Sequence, residues 1–380
     1  MNVFFLQPLV PHYRVPFFRR LARTRDFHLS VHASERVPGQ SLGTAPECLG
    51  PDSPFEVHLH PCRAFAGGRM FWQDVSLPRG FGRGDVFVMP GAPRWPRNFA
   101  LAAEARARGA AVVWFGQGYG VGASRPQVAA RHVFARLCDH AVLYTESETR
   151  RWLAAGFPAD RLTAMNNALD QAPIRAAAAA VTPEALAALR AAHGLEGRHI
   201  LLMVGRLTDK AGAEVLVEAL RDLPADYTAV FIGGGEDTPI VQTRVVELGL
   251  GDRVRMLGPV YDEAVLAPWF RAADVFVYPG GIGLSIHHAF GYGLPVVTHG
   301  EADEQMPEFA ALVPGVNGEV FPRGDARALA RTLAALCGDA DRRAALARGA
   351  AETVSTGWNI DDMVARFAAA IRIAGRRRGA

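Results

Sequence analysis

Short apolar runs of three to six residues recur along the whole chain. Between them, apolar positions fall three and four residues apart. The first pattern is that of strands buried on both faces, and the second that of helices laid over them. In the first half the spacing predicts strands at 3–6, 29–32, 85–89, 111–115 and 141–144, with helices at 15–22, 99–107 and 128–138. Residues 34–83, rich in Pro, Gly and polar side chains, break the alternation and read as irregular excursions. A second series follows, with strands at 200–204, 227–232, 254–256, 275–278 and 296–298 and helices at 212–221, 239–248, 263–272 and 285–291. Strands alternating with helices build parallel sheets from βαβ units. The expected fold is α/β, with two Rossmann-like, doubly wound parallel-sheet domains.

A length of 380 residues also points to two domains rather than one core. The expected division is 1–172, an alanine-rich helical connector over 173–197, and 198–358. The last periodic stretch, 359–375, carries Met363, Phe367, Ala370 and Ile371 on one face and needs a packing partner. With 49% hydrophobic and 21% charged residues the composition is globular, and no charge-free run of ~18 apolar residues suggests a membrane span. The first residues lack a basic leader and meet Pro8 at once, so they read as a first buried strand. Cys48, Cys62, Cys138 and Cys337 have neither disulfide nor metal-ligand spacing, which fits a reducing, cytoplasmic setting.

Charge is unevenly spread. The first 170 residues carry 20 Arg against 13 Asp and Glu, a net of +7, while the remainder is net −4. A basic first half suits an anionic acceptor or peripheral contact with the inner face of the plasma membrane; an Arg-rich solvated surface is the plainer alternative. No basic run interleaved with aromatics points to nucleic acid. Arg376-Arg377-Arg378 reads as a frayed end. Lys210 is the only lysine among 41 basic residues.

Open α/β sheets bind ligands beyond the carboxyl ends of their strands. Four such places in the second half carry suggestive residues. After strand 200–204 come Gly205, Arg206 and Lys210, a combination suited to a diphosphate at a helix start. After 227–232, Gly233-Gly234-Gly235 either lets a ligand lie on the main chain or makes a tight turn. After 275–278, Gly280, Gly281, Gly283, Leu284 and Ser285 lead into a helix bearing His287 and His288. After 296–298 stand Glu301, Asp303, Glu304 and Glu308, whose spacing fits a solvated loop better than a metal site. In the first half, His12-Tyr13-Arg14 and the Gln117-Gly118-Tyr119-Gly120 loop occupy equivalent edges. Neither a nucleophile elbow, nor a Walker loop, nor an early Gly-x-Gly-x-x-Gly is present.

With these residues in view the second half resembles the retaining GT-B family of nucleotide-sugar glycosyltransferases, family 4. The resemblance rests on Val204-Gly205-Arg206-Leu207, on the run from Leu248 through Gly258 and Pro259, on the run from Phe270 to Pro279, on Gly293-Leu294-Pro295-Val296-Val297, and on Val316-Asn317-Gly318-Glu319-Val320-Phe321-Pro322. In the first half, Tyr144-Thr145-Glu146-Ser147-Glu148 and Asn167-Ala168-Leu169-Asp170 fit more loosely. His12 to Phe18 is similar to the opening of polysaccharide and lipopolysaccharide transferases. Three positions depart from the family pattern. Gly280 and His288 stand where it has two glutamates eight residues apart, Ala211 stands where it has its lysine, and Gln117 stands where it often has a histidine.

The resemblance implies two domains facing a cleft, with the last helix returning to the first domain. It implies transfer with retention from a UDP- or GDP-sugar, without cofactor or metal. Arg206, Lys210 and Gln117 would then be catalytic. Gly205, Gly234, Gly258, Pro259, Gly281, Gly283, Leu284, Ser285 and His288 would bind the donor. His12, Tyr13, Arg14 and Tyr119 would bind a saccharide or lipid-linked oligosaccharide acceptor. A GT-B epimerase or phosphorylase-like enzyme, or a non-catalytic nucleotide-sugar binder, are the alternatives.

Overall fold

The computed structural model describes residues 1–40, 42–119 and 124–379. The chain divides into two compact bodies, Met1–Asn167 together with Ile360–Ala380, and Ala168–Asn359. The first body runs β1 (Asn2–Leu6), α1 (Val15–Ala22), β2 (His28–Ala33), β3 (Glu56–Leu59), β4 (Cys62–Phe65), β5 (Met70–Gln73), β6 (Val86–Pro90), α2 (Pro96–Ala107), β7 (Ala111–Gly116), α3 (Arg125–Arg136), β8 (His140–Leu143), α4 (Glu146–Ala154) and β9 (Leu162–Ala164). Among the described residues seven strands form one sheet in the order β3-β2-β1-β6-β7-β8-β9. Every pairing in it is parallel.

The strand period of two assigns neighbouring residues to opposite faces. Phe4 joins Phe81, Phe87 and Leu101 on one side. Phe5 meets Phe18 at 4.9 Å, Phe115 at 5.2 Å and Phe367 at 5.4 Å on the other. Phe367 comes from the C-terminal helix Ile360–Gly379, which packs on α1 and against β7 and β8. Its Met363, Phe367, Ala370 and Ile371 are all buried.

Two sequence expectations are corrected here. Residues 34–83 are not wholly irregular: β3 is the sheet's edge strand, and β4 and β5 form an antiparallel hairpin. As an edge strand, Glu56–Leu59 is largely exposed and carries no apolar run to betray it. The three terminal arginines are not frayed either. They continue the last helix, where Arg377 pairs with Asp160 and Arg378 Nε donates to Asp139 Oδ1 at 2.9 Å.

The second body runs α5 (Gln171–Ala180), α6 (Pro183–His193), β10 (His199–Val204), α7 (Ala213–Arg221), β11 (Tyr227–Ile232), α8 (Thr238–Glu247), β12 (Val254–Met256), α9 (Glu263–Ala272), β13 (Val275–Tyr278), α10 (Ser285–Gly291), β14 (Val296–His299), β15 (Gly318–Phe321), α11 (Ala326–Cys337) and α12 (Ala340–Thr356). Six strands form a sheet in the order β12-β11-β10-β13-β14-β15 among the described residues, again parallel at each pairing. Leu201 and Met203 pack towards α7 and α11 on one face, while Ile200 and Leu202 pack towards α9 and α10 on the other. Both faces are covered, as a doubly wound sheet requires. The stretch expected as a connector is helical, and α5 and α6 lie against α9 within this body.

Candidate functional site

In the second body the loops after β10, β11 and β13 meet main chain to main chain. Leu207 N donates to Gly234 O at 3.2 Å, and Asp237 N donates to Leu207 O at 3.1 Å. Gly280 N donates to Ala211 O at 2.9 Å, and Gly281 N to Lys210 O at 2.8 Å. Gly233 N donates to Gly258 O at 2.8 Å, joining the loop after β12 to the same edge. Such approach requires glycine. A Cβ at Gly280 would lie 1.9 Å from Lys210 O, and one at Gly235 would lie 2.1 Å from Leu207 O. Gly212, with φ of 66°, starts α7 in a left-handed conformation.

These contacts account for two departures from the family pattern. Position 280 is filled by the Lys210 carbonyl, which leaves no room for a glutamate. Ala211, at the family's lysine position, is buried in the core, whereas Lys210 is exposed. The loop therefore presents its ammonium one residue early. Arg206 makes a surface ion pair, 3.6 Å from Glu236, with its side chain 60% exposed. Pairs of this kind contribute about 0–1 kcal/mol and exchange readily for a stronger anion.

Gly283, Leu284 and Ser285 lead into α10, whose first turn has no side-chain cap. Behind this loop, Gln305 Oε1 accepts from Ile282 N at 2.7 Å, and Gln305 Nε2 donates to Thr298 Oγ1 at 3.0 Å and His299 O at 2.8 Å. Gln305 is buried and fixes the loop's path, a role the sequence reading missed because a lone Gln beside four acidic residues carries no signal. Glu308 is buried as well, while Glu301 and Asp303 are exposed. Among the described residues no group of three or more His, Cys, Asp or Glu is arranged to hold a metal ion.

His287 and His288 part company. His287 is fully buried with both ring nitrogens unpartnered, stacked 5.2 Å from Trp358, and burial pushes its pKa down to about 3. It is a neutral core residue. His288 Nε2 lies 2.8 Å from Glu263 Oε1 on α9, with 16% of its side chain exposed. Pro259 is exposed and Gly258 half-buried on the loop that leads to α9.

In the first body, His12 and Tyr13 are exposed on a single 3-10 turn after β1. His12 Nδ1 lies 3.4 Å from Glu47 Oε1. Arg14, in contrast, is buried, with its guanidinium 4.0 Å from Met363 Sδ and over the rings of Tyr13 and Tyr144. It packs the C-terminal helix and does not share the surface of its two neighbours. Gln117 and Tyr119 follow β7, and Arg151 covers the Tyr119 ring at 3.8 Å. Gly120, expected in the same loop, lies outside the described residues.

A single buried carboxylate organises that loop. Glu148 Oε1 accepts from Gly118 N at 2.8 Å and Tyr119 N at 3.4 Å, while Oε2 accepts from Thr145 N at 3.1 Å. The signal was available in the capping-box spacing Thr145…Glu148 at the start of α4. Elsewhere in this body, a surface cavity of about 830 Å³ is lined by Met89, Phe99 and Phe134, by Arg106, Arg136, Arg161, Arg377 and Arg378, and by Asp139, which pairs with Arg106 and Arg378.

Residues 198–339 match the model of the family described as glycosyl transferases group 1. A D-inositol 3-phosphate glycosyltransferase of Xylanimonas cellulosilytica is 34% identical over 168 residues, covering 42% of this chain and 39% of that relative. A GDP-mannose-dependent alpha-(1-6)-phosphatidylinositol monomannoside mannosyltransferase of Mycobacterium tuberculosis is 27% identical over 96% of this chain and 94% of its own. Among solved structures, Anabaena HepE in complex with UDP covers 98% of this chain and 99% of its own with a TM-score of 0.73 at 16% identity. That likeness gives both bodies the GT-B architecture.

Proposed function

We propose that this glycosyltransferase, with its glycosyl transferases group 1 domain over residues 198–339, moves a sugar with retention from a UDP- or GDP-sugar to a saccharide or lipid-linked acceptor. The observation that carries the reading is the glycine-built edge of the second sheet, which leaves Arg206 and Lys210 exposed on one short loop. A departing nucleoside diphosphate gains negative charge as the sugar takes on oxocarbenium character. The two cations, with the helix that follows Gly283, neutralise that charge where it develops. No cofactor or metal enters this scheme. The proton of the acceptor hydroxyl passes to a donor phosphate oxygen on the same face of the sugar. That path needs no pair of carboxylates of the kind that flanks the bond in glycosidases.

Gly205, Gly234, Gly258, Pro259, Gly281, Gly283, Leu284 and Ser285 form the donor cradle, and His288 meets the ribose. His12, Tyr13, Gln117 and Tyr119 receive the acceptor; Arg14 supports them from within. Growing cell-surface polysaccharide or lipopolysaccharide is the acceptor class this reading favours. Peripheral contact with an anionic membrane at the cytoplasmic face is the further part of this reading, supported by the net +7 of the first 170 residues.

The test is a thermal-shift series with UDP, GDP, ADP, CMP and dTDP on the native protein and on Arg206→Ala. Stabilisation by one nucleoside diphosphate, lost in the variant, is the expected result. No shift with any of them would overturn the donor-site reading. Donor consumption without acceptor would identify an epimerase.

A further inference from the structure

His288 is one member of a trio in which Tyr292 is buried and His288 and Glu263 are half-buried. It stands in the first turn of α10, and its Nε2 lies 2.8 Å from Glu263 Oε1. The Tyr292 hydroxyl donates to the same oxygen. Glu263 opens α9 directly after Asp262, whose side chain accepts from Ala264 N, so its backbone is fixed by a capped helix start. Phe270 lies 4.5 Å from the His288 ring and stacks on Tyr292 at 4.7 Å. The imidazole thus has the tilted rings of Phe270 and Tyr292 beside it and is tied at one edge.

The protonation states follow from chemistry. Burial alone would raise the Glu263 carboxyl, but its hydrogen bonds with His288 and Tyr292 help to outweigh it, and the pKa is lowered. The Tyr292 phenol is pushed up strongly, first by burial and then by Glu263, so it stays a donor. A carboxylate can only accept, and the ring nitrogen facing it must carry a proton. In a neutral imidazole that leaves Nδ1 as the acceptor. A glutamate at 288 would instead set two carboxylates against each other across the same gap.

We propose that Glu263 is a positioning residue which, with Tyr292, fixes the ring and tautomer of His288 so that Nδ1 accepts a hydroxyl of the donor's ribose. The trio does the work that a single carboxylate does where the family has glutamate at this position. The proposal rests on the donor-site reading above and extends it to residues on α9 and at the end of α10. It makes selection of ribose over deoxyribose depend on a residue that never touches the nucleotide.

The experiment measures the dissociation constants of the stabilising nucleoside diphosphate and of its 2′,3′-dideoxy counterpart by calorimetry. The native protein should prefer the ribonucleotide by about tenfold, the order expected for one well-made hydrogen bond. His288→Ala and Glu263→Gln should each bring the two ligands to within about twofold, with the dideoxy affinity unchanged. Tyr292→Phe, which keeps Glu263 and loses one donor, should lose part of the preference and covers the case in which Glu263→Gln fails to fold. Full preference in both Glu263→Gln and Tyr292→Phe, or an equal fall for both ligands, overturns the positioning role while leaving the donor site intact. A native protein that binds no nucleoside diphosphate overturns the donor reading and this inference together.

Discussion

At the scale of single residues, Gly280 shows how an apparent loss of a functional group can be a packing requirement. The Lys210 carbonyl occupies the space its Cβ would need. Gly280→Ala should therefore push the loop carrying Arg206 and Lys210 away from the loop after β13. Overpacking of this kind costs about 1–3 kcal/mol, and chemical denaturation should report it together with weakened nucleotide binding. A variant as stable as the parent with unchanged affinity would refute the packing argument. On the proposed donor reading, the absence of a side chain at 280 leaves main chain to meet the sugar there, so sugar choice would be set by other groups.

At the scale of elements, the loop after β7 is tied to α4 by the Glu148 carboxylate and by Arg151 over the Tyr119 ring. Glu148 caps α4 and receives two amides of the loop bearing Gln117 and Tyr119. Glu148→Ala strands buried donors, at a cost of about 1–3 kcal/mol. Faster hydrogen exchange at Gly118 and Tyr119 should accompany it; unchanged exchange would mean the loop is held by other contacts. The central strands β10, β11 and β13, and the helices α1, α9 and α10, were legible because both sheet faces are covered and apolar runs follow. The edge strand β3 and the pair β4–β5 were not, because exposed strands alternate polar and apolar residues weakly. In the same way Arg206 and Lys210 could be read from glycine and charge beside a strand. Glu263, Tyr292 and Gln305 could not, because each acts through a partner distant in sequence; the capping-box spacing announced Glu148 as a cap but not its reach to Gly118.

At the scale of the whole molecule, four of the described histidines are buried with pKa values lowered first by burial, His299 among them, and three are lowered strongly. His140, bonded to Thr163, is lowered to about 4, first by burial and then by Arg377 and Arg161; His287 is lowered to about 3 by burial; and His32 is lowered to about 2 by burial and by His58 and His60. The unfolded chain takes up these protons near pH 6.5, while the folded chain does not until far lower. Stability is thus complete above pH 6.5 and falls as the pH drops below it, by about 1.4 kcal/mol per pH unit for each histidine. Urea denaturation at pH 7 and pH 5 should show the midpoint falling, and a flat profile would mean these rings find protons or water inside the fold. The two bodies differ in another respect, one that concerns order in time. The second body is drawn from a continuous stretch of chain, but the first borrows Phe367 and its neighbours from beyond residue 360. As the chain leaves the ribosome, the aromatic cluster around Phe5 stays open until the second body has already been made. The half that begins first is the half that finishes last, and its exposed phenylalanines are the surface a chaperone would meet in the interval.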